Sequence, residues 1–83
     1  KQSLTVYIDA GYNYYIEENP VNPEFLVETI GNSLQGQADA SVVLRADQTV
    51  PVQYVVTLID AVNQVNELMK THHKVILATK PKS

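Results

Sequence analysis

The sequence predicts an α+β fold: a two-layer α/β sandwich in ββαβαβ order, with a mixed four-stranded sheet and two helices on one face. Three observations predict it. Residues 4–8, Leu-Thr-Val-Tyr-Ile, alternate apolar and less apolar side chains with the period of a half-buried strand. Leu26, Val27, Ile30 and Leu34, and later Val55, Leu58, Ile59, Val62, Val65 and Met69, recur at helical spacing. After an initial hairpin, strand, helix and strand then succeed one another twice. Right-handed crossovers lay the joined strands parallel and put both helices on the same side.

Each element has a local cause. Residues 9–11, Asp-Ala-Gly, read as a turn in which Gly11 is free to take positive φ. Residues 12–16 are rich in tyrosine and resume the strand, completing a hairpin. Pro20 closes it, because proline cannot donate to a ladder. Asn22, Pro23 and Glu24 form a helix start: a side-chain cap, a residue with preset φ, and an acid at the positive dipole end. Gly36 is the matching stop. Gly31, inside the helix, costs about 1 kcal/mol relative to alanine and predicts a close neighbour. Residues 41–45 hold the unbroken apolar run Val42-Val43-Leu44, as in a strand at the middle of a sheet. A loop at 46–49 follows, with Thr49 as cap of a helix over 52–70. The last strand covers 74–79 and ends before Pro81. The predicted core is Val6, Ile8, Leu26, Ile30, Leu34, Val42, Leu44, Val55, Ile59, Val62, Val75 and Leu77.

Eighty-three residues, 45% of them hydrophobic and 18% charged, make one small domain over 1–83 and argue against disorder. The absence of cysteine excludes a disulfide framework, a CxxC redox pair and thiolate zinc. No apolar run approaches the roughly 20 residues that span a bilayer. The chain begins with Lys1 and reads as an excised fragment of a longer protein. Net charge is −3, which disfavours nucleic acid. All nine acids lie between Asp9 and Glu67, where Arg45 is the sole base; from Leu68 onward only lysines occur. This reads either as a solvated basic tail or as a C-terminal strand that meets an acidic or anionic partner.

The familiar catalytic motifs do not occur in the sequence. The serines lack nucleophile-elbow glycines, and no phosphate loop or dinucleotide fingerprint occurs. His72 and His73 are adjacent, so on a regular element they point apart; they read as a solvated pair rather than metal ligands. No metal or cofactor is expected. The tyrosines are more informative. Tyr7 alternates out of phase with Leu4, Val6 and Ile8, so it lies on the face that the helices leave open. There it either binds a partner through area and hydroxyl or stiffens the hairpin by pairing with neighbouring rings. Arg45 and Asp47 close the third strand at its carboxyl end, a place where α/β sheets often carry sites. They equally fit a capping Asp paired with a local Arg.

Four segments together resemble the periplasmic domain of the ExbD/TolR family. They are Asn-Pro-Val-Asn-Pro-Glu at 19–24, Val-Leu-Arg-Ala-Asp-Gln-Thr-Val at 43–50, Val-Thr-Leu-Ile-Asp at 56–60, and Lys-Val-Ile-Leu-Ala-Thr at 74–79. The order covers almost the whole chain, and Arg-Ala-Asp-x-x-Val with the downstream Leu-Ile-Asp is its most specific part. One departure is that family members often carry a glycine after the second helix, where this chain continues as Val-Asn-Glu-Leu-Met over 65–69. The resemblance implies a periplasm-facing, non-enzymatic domain of a single-pass inner-membrane protein in a Gram-negative bacterium. Such a protein is part of a motor driven by the proton motive force. It works with an ExbB/TolQ-like channel subunit and energises a TonB-like transducer for outer-membrane import. TolR-like members act with a TolA-like protein in envelope maintenance, and some contact peptidoglycan. The family's proton-carrying Asp lies in its transmembrane helix, so neither Asp47 nor Asp60 takes that role.

From the residues and the resemblance together, a homodimer paired through edge strands or terminal segments is expected. The expected partner surface joins Tyr7, Ile76 and Leu77, with Lys74, Lys80 and Lys82 steering an acidic segment and Arg45 and Asp47 as secondary contacts. Two other classes stay open: a free-standing peptide- or ligand-binding module, and a small enzyme with a deep pocket and perturbed carboxylates.

Overall fold

Residues 3–37 and 39–78 are described in a computed structural model of the chain. Lys1, and the end of the predicted last strand with Thr79, Lys80, Pro81 and Lys82, lie outside the described residues. The strands are β1 (Ser3–Ile8), β2 (Tyr14–Ile16), β3 (Asn19–Val21), β4 (Ser41–Ala46) and β5 (Val75–Leu77); the helices are α1 (Leu26–Leu34) and α2 (Val52–Met69). The order is thus βββαβαβ, and the sheet has five strands rather than the four expected, arranged β3-β2-β1-β4-β5. β1 pairs antiparallel with β2, and β2 with β3; β1, β4 and β5 run parallel.

The added strand follows from a turn the sequence does not advertise. Glu17 and Glu18 both have positive φ, 51° and 78°, and join Ile16 to Asn19 as a two-residue hairpin loop. That twist is usually supplied by Asn-Gly or Asp-Gly. Pro20 does not end the pairing, because it sits on the outermost strand, where a missing N–H is tolerated. The first hairpin turns differently from expectation as well. Tyr12, not Gly11, takes the left-handed conformation (φ 68°), and the strand resumes only at Tyr14.

Strand alternation sorts the sheet's faces. Leu4, Val6, Ile8, Tyr14, Ile16, Val42 and Leu44 are buried beneath Leu26, Ile30 and Leu34 of α1 and Leu58, Ala61, Val62 and Val65 of α2. The two helices pack on each other and on this one face. Val55 and Val75 are packed against the core from its margin, and Ile59 is half-buried. Leu77 is a correction: it is 58% exposed, because helical cover does not extend over the end of the edge strand β5. Tyr14 is fully buried, and its hydroxyl donates to the Tyr54 carbonyl at 2.8 Å. Burial raises this phenol's pKa.

The caps partly match. The Asn22 side chain accepts from the Glu24 N–H at 2.9 Å, opening a single 3-10 turn at Pro23–Phe25 before α1. Gly36 has φ 79°, a conformation suited to glycine just beyond a helix end. Thr49 does not cap α2; Pro51 occupies that position without a side-chain bond. Gly31 does face side chains of α2, as predicted, but not so closely that only glycine fits. A Cβ there would lie 3.8 Å from Met69 Sδ and 3.9 Å from Val65 Cγ2, ordinary contact distances. Gly31→Ala is therefore expected to raise the unfolding free energy by about 0.5–1 kcal/mol through helix propensity and a less flexible unfolded chain, read from urea midpoints. A loss of stability would show that the helices cannot accommodate the methyl.

α2 ends at a residue that carries a side chain. Lys70 takes the left-handed position (φ 56°, ψ 46°) that stops the helix. Lys70→Gly is expected to stabilise the chain by about 1 kcal/mol in thermal melts, since a Cβ is unfavourable there. An unchanged melting temperature would refute the strain.

Candidate functional site

The sheet's uncovered face carries two rows of side chains. Pro20, Tyr15, Tyr7 and Arg45 are successive partners across β3, β2, β1 and β4. Thr5, Val43 and Ile76 form the next row, across β1, β4 and β5. Of the residues expected at a partner surface, Tyr7, Arg45 and Ile76 thus share one face, and Tyr7 and Ile76 are 40% and 49% exposed. The Tyr7 and Tyr15 rings lie 6.3 Å apart and tilted by 45°, so hairpin-stiffening pairing does occur, alongside the exposure. Leu77 lies on the other face of the same edge strand. Lys74 precedes β5, exposed, and its carbonyl accepts from the Val42 N–H at 2.7 Å.

Asp47 stands apart from this group. Its carboxylate accepts from the Thr49 N–H at 2.9 Å and the Thr49 hydroxyl at 2.8 Å, closing the loop after β4 rather than capping α2 or holding Arg45. Arg45 makes no ion pair among the described residues. Asp9 does the same work in the loop after β1, accepting from the N–H groups of Asn13 and Gly11, each at 2.9 Å, and from the Tyr15 hydroxyl at 3.0 Å. The main-chain donor of Asn13 is foremost in lowering the Asp9 pKa, and that of Thr49 in lowering the Asp47 pKa. The bond to Asp9 raises the Tyr15 pKa. Two perturbed carboxylates therefore have loop-closing explanations.

The sign of the pH dependence follows. A depressed carboxyl pKa contributes stability above its unfolded value, near 4, and that contribution is lost as pH falls through the folded value. Amide exchange at Gly11, Asn13 and Thr49 is expected to accelerate selectively in acid below about pH 4. Uniform protection down to pH 2 would contradict it.

The sheet's two edges differ in what their backbones offer. The Glu17 N–H donates to the Thr5 carbonyl at 3.0 Å, so by alternation the main chain of Tyr15 faces β1, and those of Tyr14 and Ile16 face β3. On β3 the backbones of Asn19 and Val21 then point inward, and only Pro20 points outward, without an N–H. At the opposite edge, Val42 N–H reaches the Lys74 carbonyl and Ala78 N–H reaches the Leu44 carbonyl at 2.8 Å. Lys74, Ile76 and Ala78 therefore face β4, and the N–H and C=O groups of Val75 and Leu77 face outward, in need of partners.

Asn66, near the end of α2, holds the entry to this strand. Its amide donates to the His73 carbonyl at 3.1 Å, and its oxygen accepts from the His73 N–H at 2.9 Å and the Thr71 hydroxyl at 3.0 Å. His73 is not solvated, as its adjacency to His72 suggested. It is 5% exposed, with Nδ1 2.7 Å from the Ala40 carbonyl; that nitrogen carries the proton, since a carbonyl only accepts. Its Nε2 is buried without a hydrogen-bond partner among the described residues. Neither residue was legible as a strand anchor, because side-chain brackets across a turn leave no periodic trace.

No described helix is long and apolar enough to cross a membrane. A family model described as "Biopolymer transport protein ExbD/TolR" matches residues 1–82. No curated protein gave a significant match.

Proposed function

Because the chain belongs to the ExbD/TolR family, a non-enzymatic family whose role is the energising of biopolymer transport, we propose that it is the periplasmic adaptor domain of an inner-membrane motor driven by the proton motive force, and that it captures an extended segment of a TonB-like transducer along β5. The observation that carries this reading is the outward row of main-chain groups on Val75 and Leu77, set between exposed apolar side chains. Strand addition satisfies such groups, while alternate side chains give selectivity. Lys74 at the start of the strand favours an acidic residue in the incoming segment. An ExbB/TolQ-like channel subunit would be engaged through a membrane helix preceding this domain. Two copies would pair through the same kind of edge, weakly, since about four added backbone bonds are worth roughly 0.5–1.5 kcal/mol each.

A TolR-like role in envelope maintenance, with peptidoglycan as ligand, is the second reading. The row of Tyr15, Tyr7 and Arg45 favours it, because aromatic rings beside a cation suit sugars and peptide carboxylates. Titrating the labelled domain with peptides tiled across the cognate TonB- or TolA-like protein, and separately with muropeptides, tests both readings. Amide shifts are expected at Val75, Ile76 and Leu77 for the first and at Tyr7, Tyr15 and Arg45 for the second. Shifts confined to Glu28, Asn32 and Gln64 on the helices would refute both.

A further inference from the structure

The β3 side of the molecule offers hydrogen-bond acceptors where it offers few donors. Pro20 has no N–H, and its carbonyl is turned outward on the edge. Between β3 and α1 runs a groove of about 390 Å³, lined by Pro20, Val21, Phe25, Glu28 and Asn32 among others. Phe25, just before α1, is 53% exposed, and Glu28 is exposed too. Residues three apart on a helix are neighbours, so ring and carboxylate border the same opening. The Glu28 carboxylate makes no hydrogen bond or ion pair among the described residues, nor do those of Glu18 and Glu24. Glu18 and Glu24 adjoin the groove residues Asn19 and Phe25. No lysine or arginine occurs between Lys1 and Arg45, and Arg45 stands on β4, three strands over from β3. This flank is therefore acidic without a local counter-charge, and a cation brings the donors that its oxygens lack.

Arginine and lysine differ at such a place. A guanidinium is planar, so it lies on an aromatic face while its edge forks onto a carboxylate; a compact ammonium cannot do both. We propose that the β3–α1 groove is a binding site for an arginine side chain of a basic partner segment, with the guanidinium laid on the Phe25 ring and forked onto Glu28, and the outward Pro20 carbonyl as a further acceptor. Glu18 and Glu24 draw in the basic residues on either side of that arginine. The site lies at the edge of the sheet farthest from β5, so it goes beyond the adaptor reading and works independently of strand capture.

The test is a titration of the isotope-labelled chain with capped peptides centred on Arg-Ala-Arg, Lys-Ala-Lys and citrulline-Ala-citrulline. Amide shifts are expected at Asn19, Val21, Phe25, Glu28 and Asn32, and not at Val75 or Leu77. The arginine peptide is expected to bind about fivefold more tightly than the lysine peptide. The citrulline peptide, which keeps the shape and loses the charge, is expected to bind about tenfold more weakly than the arginine one. Glu28→Gln is expected to weaken binding of the arginine peptide about fivefold. Phe25→Leu is expected to erase the preference for arginine over lysine. Both positions are exposed, so the amide pattern of β1 and β4 should stay as it is, which separates loss of the site from loss of the fold. Glu67→Gln removes the same charge outside the groove and is expected to leave binding unchanged. Equal affinity of the unchanged chain for the arginine and lysine peptides would overturn the site, as would equal losses in Glu28→Gln and Glu67→Gln. Shifts at β5 in place of the groove, or no binding at about 10 mM peptide, would overturn it as well. None of these failures touches the adaptor reading, whose own test uses transducer peptides at β5.

Discussion

Leu44→Ala is expected to cost about 2–5 kcal/mol in urea unfolding, the range for removing a buried leucine and leaving a partly collapsed cavity. Leu44 is fully buried on β4, beside Val6 of β1 and opposite the helices. It lies in the middle of the sheet, with strands on both sides, so few neighbours are free to move in. Whole-domain stabilities run about 5–15 kcal/mol, and 83 residues belong near the lower end, so the variant is expected to be partly unfolded at 37 °C. Leu77→Ala is the control: equally apolar in sequence but mostly exposed, it is expected to cost under about 1 kcal/mol. Equal losses at the two positions would mean that β5 is covered in a way the fold described above does not provide.

Asn66→Ala is expected to cost about 2–4 kcal/mol, more than most changes at a half-buried polar residue. One side chain satisfies the His73 N–H, the His73 carbonyl and the Thr71 hydroxyl. Removing it leaves at least one main-chain group near the core unpaired, which alone costs about 1–3 kcal/mol. The loss should also be local. Hydrogen exchange is expected to rise at residues 71–78 well before it rises in β1 or β4. A uniform increase across the sheet would show that the bracket does not specifically hold β5. Asn66→Asp separates the parts: it keeps the acceptor for His73 and Thr71 and loses the donor to the His73 carbonyl.

The helices, and the strands buried on one face, were legible because their apolar residues repeat at 3.6 and 2 positions, and Val6, Ile8, Ile30 and Leu44 sit where that periodicity puts them. The third strand was not legible. Glu17-Glu18 is a hairpin turn without the usual residues, and Pro20 reads as a terminator until the register shows it facing outward. Leu77 was misassigned because an apolar residue on the helix-side face is buried only if a helix reaches that far. Among the candidate site residues, Tyr7 was placed on the open face by alternation alone, whereas the meeting of Tyr7 with Arg45 depends on a parallel register that no single strand encodes. Asp47 looked like a cap or a contact because Asp before Thr serves in several kinds of turn. Its bonds to Thr49 are settled only by the path of the loop.

The parallel ladder between β1 and β4 has a mechanical meaning. Six residues of each strand are in register, from Ser3 beside Ser41 to Ile8 beside Ala46. A load that enters at the start of β1 and leaves along a strand laid beside β5 pulls parallel to every strand between them. The bonds of each ladder are then strained in shear and share the force together, whereas a load applied across the strands would open them one after another. Such a sheet passes tension sideways through its backbone without drawing on the helices, and its weakest rung is the short ladder at β5. If the domain carries force as proposed above, the linkage is expected to part at that strand under excess load while the central sheet stays folded, a coupling that would slip before it breaks.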